Sequence, residues 1–249
     1  KLKFYHKIDE YNFVRRKRVL KFTNPLRSFM VEDLEVMSFD IPNGVLDEIQ
    51  QNIEHIIQAF DIPEENKVEV IKQINFMYSR TKYLSLTDEL TGLANRRCFD
   101  EAFEKEFLRA QRYNNKLTLV MFDIDYFKQV NDTYGHQCGD YILKEISNAA
   151  LQTFRKTDTV FRFGGEEFVV ILTETDIEKA KIPLERFRKT VETLDLNYHG
   201  FPINITVSIG ACQLSKDIKT KEALLEKTDM ALYEAKNTGR NKTILSNFQ

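Results

Sequence analysis

Two strand-sized runs joined by a Gly-Gly step constrain this chain more than any other feature. Thr159–Phe163 and Glu167–Thr173 flank Gly164-Gly165, a hairpin signature. A third run, Leu117–Ile124, is also apolar and strand-like. Amphipathic segments surround these strands. Asn95–Asn114 carries Phe99, Phe103 and Phe107 on one helical face, and Asp88 stands where a helix cap could sit. A short helix is predicted at Asp125–Asn131, a Gly-rich turn at Tyr134–Gly139, and helices at Asp140–Phe154, Asp176–Leu194 and Thr220–Asn237. Ile203–Gln213 and Thr243–Leu245 complete the strands. Strands interleaved with helices around one tight hairpin predict an α/β (α+β) sandwich, not a bundle.

The N-terminal stretch has a different texture. Residues 1–30 hold nine Lys/Arg against Asp9 and Glu10, whereas residues 31–70 hold eleven Asp/Glu against Lys67 alone. Two readings fit this division: a solvated surface whose halves partly neutralise each other, or an interface between two copies. Val45–Phe60 spaces Leu46, Ile49, Ile53 and Phe60 at helical intervals. A following helix is expected over about residues 63–86, with Pro63 in its first turn and Asp61 as cap. The expected division is therefore a mainly helical region at 1–80, able to serve in dimerisation, and a domain of mixed strands and helices at 81–249.

Charge and cysteine usage exclude several classes. With 36 Lys+Arg against 38 Asp+Glu the net charge is −2, so bulk attraction to nucleic acid or an anionic membrane is absent. No apolar run approaches the roughly 20 residues of a bilayer span. Cys98, Cys138 and Cys212 have no metal-like spacing and read as reduced packing residues. No signal peptide is visible, so a cytoplasmic setting is expected, although the chain opens on Lys1 and could be a fragment.

Acidic residues gather at strand ends. Asp123 and Asp125 close one strand, and Glu166-Glu167 follow the Gly-Gly turn. Adjacent carboxylates repel unless a cation or solvent relieves them. Hard oxygen donors suit Mg²⁺ or Mn²⁺ and a phosphate-bearing substrate. Gly164 and Gly165 leave room for a nucleotide to approach the backbone. Lys236 and Arg240 lie four residues apart at a helix end, where they can grip phosphate or simply complement the helix dipole.

Gly164-Gly-Glu-Glu-Phe168 resembles the signature of the GGDEF family, the diguanylate cyclases, in its GGEEF form. Asp88–Arg97 resembles the family's opening segment. Phe122–Lys128, Asn131-Asp132, Gly135-His136 and Gly139-Asp140 resemble its metal and guanine segment. Val207–Gly210 and Asp229–Asn241 resemble its closing strand and helix. The segments run in family order and leave residues 1 to about 80 uncovered.

The resemblance implies a fold like the palm of nucleotidyl cyclases and polymerases. It also implies condensation of two GTP into cyclic di-GMP with release of two pyrophosphates, across a homodimer. Asp123, the Ile124 carbonyl, Glu166 and Glu167 would hold Mg²⁺ or Mn²⁺. Glu166 would also help deprotonate the ribose 3′-hydroxyl. Asn131 and Asp140 would read the guanine edge, and His136 would line the same pocket. Lys128, Lys236 and Arg240 would neutralise phosphate charge. Arg155-Lys-Thr-Asp158 fits the family's RxxD product-inhibition motif, with Arg186 supplying a further arginine. Neither nucleic acid nor a membrane is an expected partner.

Two alternatives compete with an active cyclase. One is a silent module that binds GTP or cyclic di-GMP as a receptor, yet the residues whose loss marks silent members are all present. The other is a hybrid enzyme that also accepts ATP, against which Asp140 argues.

Overall fold

The computed structural model describes residues 85–246, together with residue 66, residues 69–70 and residues 72–74. Leu84–Gln249 forms one compact unit. The two charge blocks, the stripe over Val45–Phe60 and most of the helix expected over residues 63–86 lie outside the described residues.

The unit begins with β1 (Ala94–Asn95) and α1 (Arg96–Tyr113). Asn95 caps α1, its side chain accepting from the Cys98 N–H at 3.1 Å. The central strand β2 (Leu117–Ile124) is followed by α2 (Phe127–Tyr134) and α3 (His136–Thr153). The hairpin strands are β3 (Thr159–Arg162) and β4 (Glu167–Thr173), followed by α4 (Ile177–Glu192). A small ribbon, β5 (Leu196–Tyr198) and β6 (Phe201–Ile203), precedes β7 (Val207–Gln213), α5 (Lys221–Asn237) and β8 (Thr243–Ser246). Asp176 and Thr220 cap α4 and α5 through their side chains.

The main sheet has six strands in the order β1-β3-β4-β2-β7-β8. Strand β2 pairs antiparallel with both β4 and β7, and every one of its residues is buried. Burial on both sides follows from alternation along the strands. Val120, Phe122, Phe168 and Ile209 pack with Ile142, Ile146, Leu184 and Phe187 of α3 and α4. Leu119, Met121, Val169 and Ile171 pack with the phenylalanine row of α1 and with Leu224 and Leu232 of α5. The result is the expected sandwich, with helices on both faces of one sheet. Each fully buried phenylalanine contributes about 2–3 kcal/mol by removal from water. On the second face α5 lies so close to β7 that a Cβ at Gly210 would sit 2.2 Å from the Leu232 backbone nitrogen.

Four local expectations differ from the structure. Asp88 caps a turn, not a helix: its carboxylate accepts from the Thr91 N–H and hydroxyl at 2.9 and 2.7 Å. The short helix starts at Phe127 rather than Asp125, because Asp125 is held by strand β7. Helix α3 starts at His136 rather than Asp140, so only Gly135 of the Gly-rich segment forms the turn. Gly139 is helical and lies where a Cβ would overlap the Asn131 side chain. The strand expected over Ile203–Gln213 is interrupted, and its first part pairs with β5 instead. That ribbon turns on His199 (φ 51°) and Gly200 (φ 87°), a left-handed pair suited to a two-residue hairpin.

Candidate active site

Antiparallel register sets Asp123 at the end of β2 opposite Glu167 at the start of β4. The connecting loop from Phe163 to Glu166 is tied down by its own backbone. The Phe163 and Gly164 N–H groups donate to the Glu167 carbonyl at 2.8 and 3.1 Å, and the Ile124 N–H donates to the Glu166 carbonyl at 3.4 Å. Neither glycine of this turn adopts a left-handed φ. Gly164 lies against the Glu167 side chain: a Cβ there would come within 2.7 Å of its carboxylate, which would have to shift. Gly165 faces open space, leaving its backbone approachable.

Arg162, to which the sequence assigned no role, and Asp88, expected as a helix cap, lock this loop. Arg162 donates to the Gly165 carbonyl from Nε and Nη2 at 3.2 and 2.7 Å. Its Nη1 reaches the Asp88 carboxylate at 2.9 Å. Burial disfavours the Asp88 charge, but hydrogen bonds from Thr91 and Arg162 outweigh it and lower its pKa. The charge of Arg162 just before the glycines was the only available signal, and it does not name its partner.

The carboxylates are under electrostatic pressure. Asp123 is buried, and its pKa is raised by desolvation, with the Glu167 and Asp125 charges adding to it. The Lys236 ammonium, 2.8 Å from Asp123 Oδ2, offsets part of that cost. Half-buried Glu166 is likewise raised, first by desolvation and then by Asp123, with Lys236 opposing. Among the described residues, no three His, Cys, Asp or Glu side chains group closely enough to hold a metal ion by themselves. The donor set nevertheless fits Mg²⁺, which takes one or two carboxylates and fills its remaining positions with water and substrate phosphate oxygens. A cation there would relieve the repulsion that raises Asp123 and Glu166.

Asp125 belongs to the scaffold rather than to the open cluster. Its carboxylate accepts from the Thr206 and Ser208 hydroxyls at 2.6 and 2.7 Å and from the Asn241 N–H at 3.0 Å. It thus fastens the segment after α5 to β7. Asn241 is also clasped by Arg188 and Glu192 of α4, both at 2.7 Å. The preceding residue, Arg240, reaches the side chain of Tyr126 at the start of α2.

The corner between α2 and α3 carries the remaining expected residues. Lys128 stands exposed in the first turn of α2. His136 and Asp140 are exposed, four residues apart in α3, and so share a helical face. The Asn131 side-chain oxygen is buried without a hydrogen-bond partner. An orphaned acceptor of this kind is costly unless a ligand donates to it.

A separate group lies beyond α3. The Arg155 N–H donates to Asp158 Oδ2 at 3.1 Å, and the Asp158 N–H donates to the Arg155 carbonyl at 2.9 Å, closing a turn. Burial raises the Asp158 pKa, with Arg155 opposing. The Arg155 side chain is exposed, and Arg186 of α4 donates to the Thr153 carbonyl two residues upstream. The structure thus brings Arg186 to the RxxD turn.

Residues 85–242 match the family described as diguanylate cyclase, GGDEF domain. The chain is 44% identical over 130 residues to diguanylate cyclase A of Treponema denticola, covering 52% of this chain and 35% of that protein. It is 41% identical over 158 residues to diguanylate cyclase DgcP of Pseudomonas aeruginosa, covering 64% of this chain and 23% of that protein. The chain therefore spans well under two thirds of the length of either relative. Among solved structures it resembles the coiled coil and GGDEF domain of DgcB from Caulobacter crescentus in complex with c-di-GMP. That likeness has a TM-score of 0.70 at 26% identity, covering 73% of this chain and 96% of that one.

Proposed function

Because the chain belongs to the diguanylate cyclase GGDEF domain family, we propose that it condenses two GTP molecules into cyclic di-GMP and two pyrophosphates. The observation that carries this reading is the cluster at the strand ends, where Asp123 pairs with Lys236 and sits in register with Glu167 beside Glu166. Carboxylates at unfavourable proximity, beside an approachable Gly-Gly turn, suit a metal-bound triphosphate.

Asp123, the Ile124 carbonyl, Glu166 and Glu167 would hold Mg²⁺ or Mn²⁺. That ion would supply charge neutralisation on the triphosphate and on the leaving pyrophosphate. Glu166 would accept the 3′-hydroxyl proton. Lys128, Lys236 and Arg240 would bind phosphate oxygens, with Gly164 and Gly165 giving the substrate close access to the backbone. Asn131 and Asp140 would accept hydrogen bonds from the guanine edge, with His136 beside them. The orphaned Asn131 oxygen supports this assignment.

Stoichiometry supports a homodimer. One such site holds one base and activates one 3′-hydroxyl, whereas the product needs two phosphodiester bonds, so two sites must face each other. Residues 81–249 would form the catalytic domain. Residues 1–80 would form the sensory or dimerisation region, with the segment 63–86 as tether. Arg155, Asp158 and Arg186 would bind the product as an inhibitor through charge-assisted contacts. No helix among the described residues is long and apolar enough to cross a membrane.

Incubation with GTP, ATP or both in the presence of Mg²⁺, followed by chromatography, tests the reading. Cyclic di-GMP as the sole cyclic product is expected. Tight GTP or cyclic di-GMP binding without turnover would replace it with the receptor reading.

A further inference from the structure

Non-glycine residues with left-handed backbones meet at one place beside the candidate site. Tyr126 has φ 58°, Arg240 has φ 59° and Asn241 has φ 45°. For a bulky side chain this conformation costs free energy and persists only where the surroundings over-determine it. The surroundings of Arg240 and Asn241 do so. The Arg240 N–H donates to the Ala235 carbonyl at 3.0 Å, and the Asn241 N–H donates to Asp125 Oδ2 at 3.0 Å. Arg188 and Glu192 hold the Asn241 side chain. The Arg240 backbone is thereby fixed, and what remains to be directed is its side chain.

Tyr126 directs it. The Arg240 guanidinium carbon lies 4.5 Å from the centroid of the Tyr126 ring, and Nη1 donates to the tyrosine hydroxyl at 3.4 Å. The two residues are 114 positions apart. The tyrosine is 54% exposed, so core packing does not explain its placement. It occupies the cap position of α2, within one turn of Lys128, and directly follows the Asp123–Asp125 segment.

We propose that Tyr126 is a positioning residue for nucleotide binding, its ring holding the Arg240 guanidinium at the start of α2 in the orientation that receives the triphosphate. The inference rests on reading Arg240 as a phosphate-binding residue. An unsupported arginine samples many rotamers and loses that freedom on binding. One stacked on an aromatic face is already ordered, and its planar fork keeps in-plane N–H donors for phosphate oxygens.

The test uses the full chain with Mg²⁺ and a GTP analogue whose α,β-bridging oxygen is replaced by methylene, so that binding is read without chemistry. Tyr126→Leu, which keeps an apolar side chain but removes the aromatic face, should weaken analogue binding and raise KM for GTP about three- to tenfold, with kcat within about twofold. Tyr126→Phe should recover most of the loss. The double variant Tyr126→Leu/Arg240→Ala should bind no more weakly than Arg240→Ala alone, because the tyrosine acts through the arginine. Thermal unfolding checks each variant, and Tyr126→Gln replaces the leucine variant if that one is not folded. A wild-type protein that binds the analogue and turns over GTP, with a Tyr126→Leu variant matching it in affinity and KM, overturns the inference alone. Fully multiplicative losses in the double variant do the same. A wild-type protein that neither binds the analogue nor makes product removes the function reading and this inference with it.

Discussion

Arg162 and Asp88, 74 residues apart, form a two-oxygen ion pair at 2.9 and 3.1 Å, and the same arginine holds the carbonyl of Gly165. One side chain therefore joins the segment before α1 to the loop that carries Glu166. Both partners are largely buried, so the pair is shielded from the screening that makes surface ion pairs weak.

Arg162→Ala should cost about 1–3 kcal/mol by leaving Asp88 and the Gly165 carbonyl short of donors. It should also reduce turnover, because the Glu166 loop loses its anchor. The pH dependence has a definite sign. Asp88 has a lowered pKa in the folded protein, so its contribution is present above its ordinary value of 3.8 and is lost as pH falls through the folded value. Urea unfolding at pH 7 and near pH 3 should show a wild-type advantage over Asp88→Asn at the higher pH that shrinks at the lower. An equal gap at both pH values contradicts the ion pair.

Glu166→Gln and Asp123→Asn should each lower turnover by orders of magnitude without loss of fold. Stability should move the other way for Glu166. Its pKa is raised by burial and neighbouring carboxylates, so the native state binds its proton more tightly than the unfolded chain does. Its unfavourable contribution grows as pH climbs from the ordinary value of 4.5 through the folded value. In a chelator at pH 8, Glu166→Gln should therefore melt at or above the wild-type temperature. A clear fall in Tm would show that the Glu166 charge is structurally required.

Arg155→Ala should weaken cyclic di-GMP binding and relieve product inhibition while leaving initial rates nearly unchanged. Calorimetry with cyclic di-GMP decides this. Equal binding by variant and wild type would reduce the Arg155–Asp158 turn to an ordinary helix end.

If two sites must face each other as proposed, specific activity should rise with protein concentration. Deleting residues 1–80 should lower activity at nanomolar concentration and steepen that dependence, because a tether raises the effective concentration of the partner domain. A truncated protein with full activity at nanomolar concentration excludes a tethering role for the deleted region.

Features that depend on residues close in sequence are legible in the sequence itself. Helices α1 and α5 begin one residue after the expected Asn95 and Thr220, whose short polar side chains turn out to cap them. Strand β4 spans the expected residues, and the buried face of α1 follows from the spacing of Phe99, Phe103 and Phe107. Other features depend on which residues meet after long excursions of the chain. Asp123 and Asp125 are two residues apart and chemically identical, yet one pairs with Lys236 while the other is consumed by Thr206, Ser208 and Asn241. Gly164 resembles a turn glycine yet lies against the Glu167 carboxylate, and Gly210 is needed for the approach of α5. Spacing reports the local periods of helix and strand. The partners of Asp88, Tyr126 and Asp125 are set by strand order and helix docking, which only the folded sheet brings about.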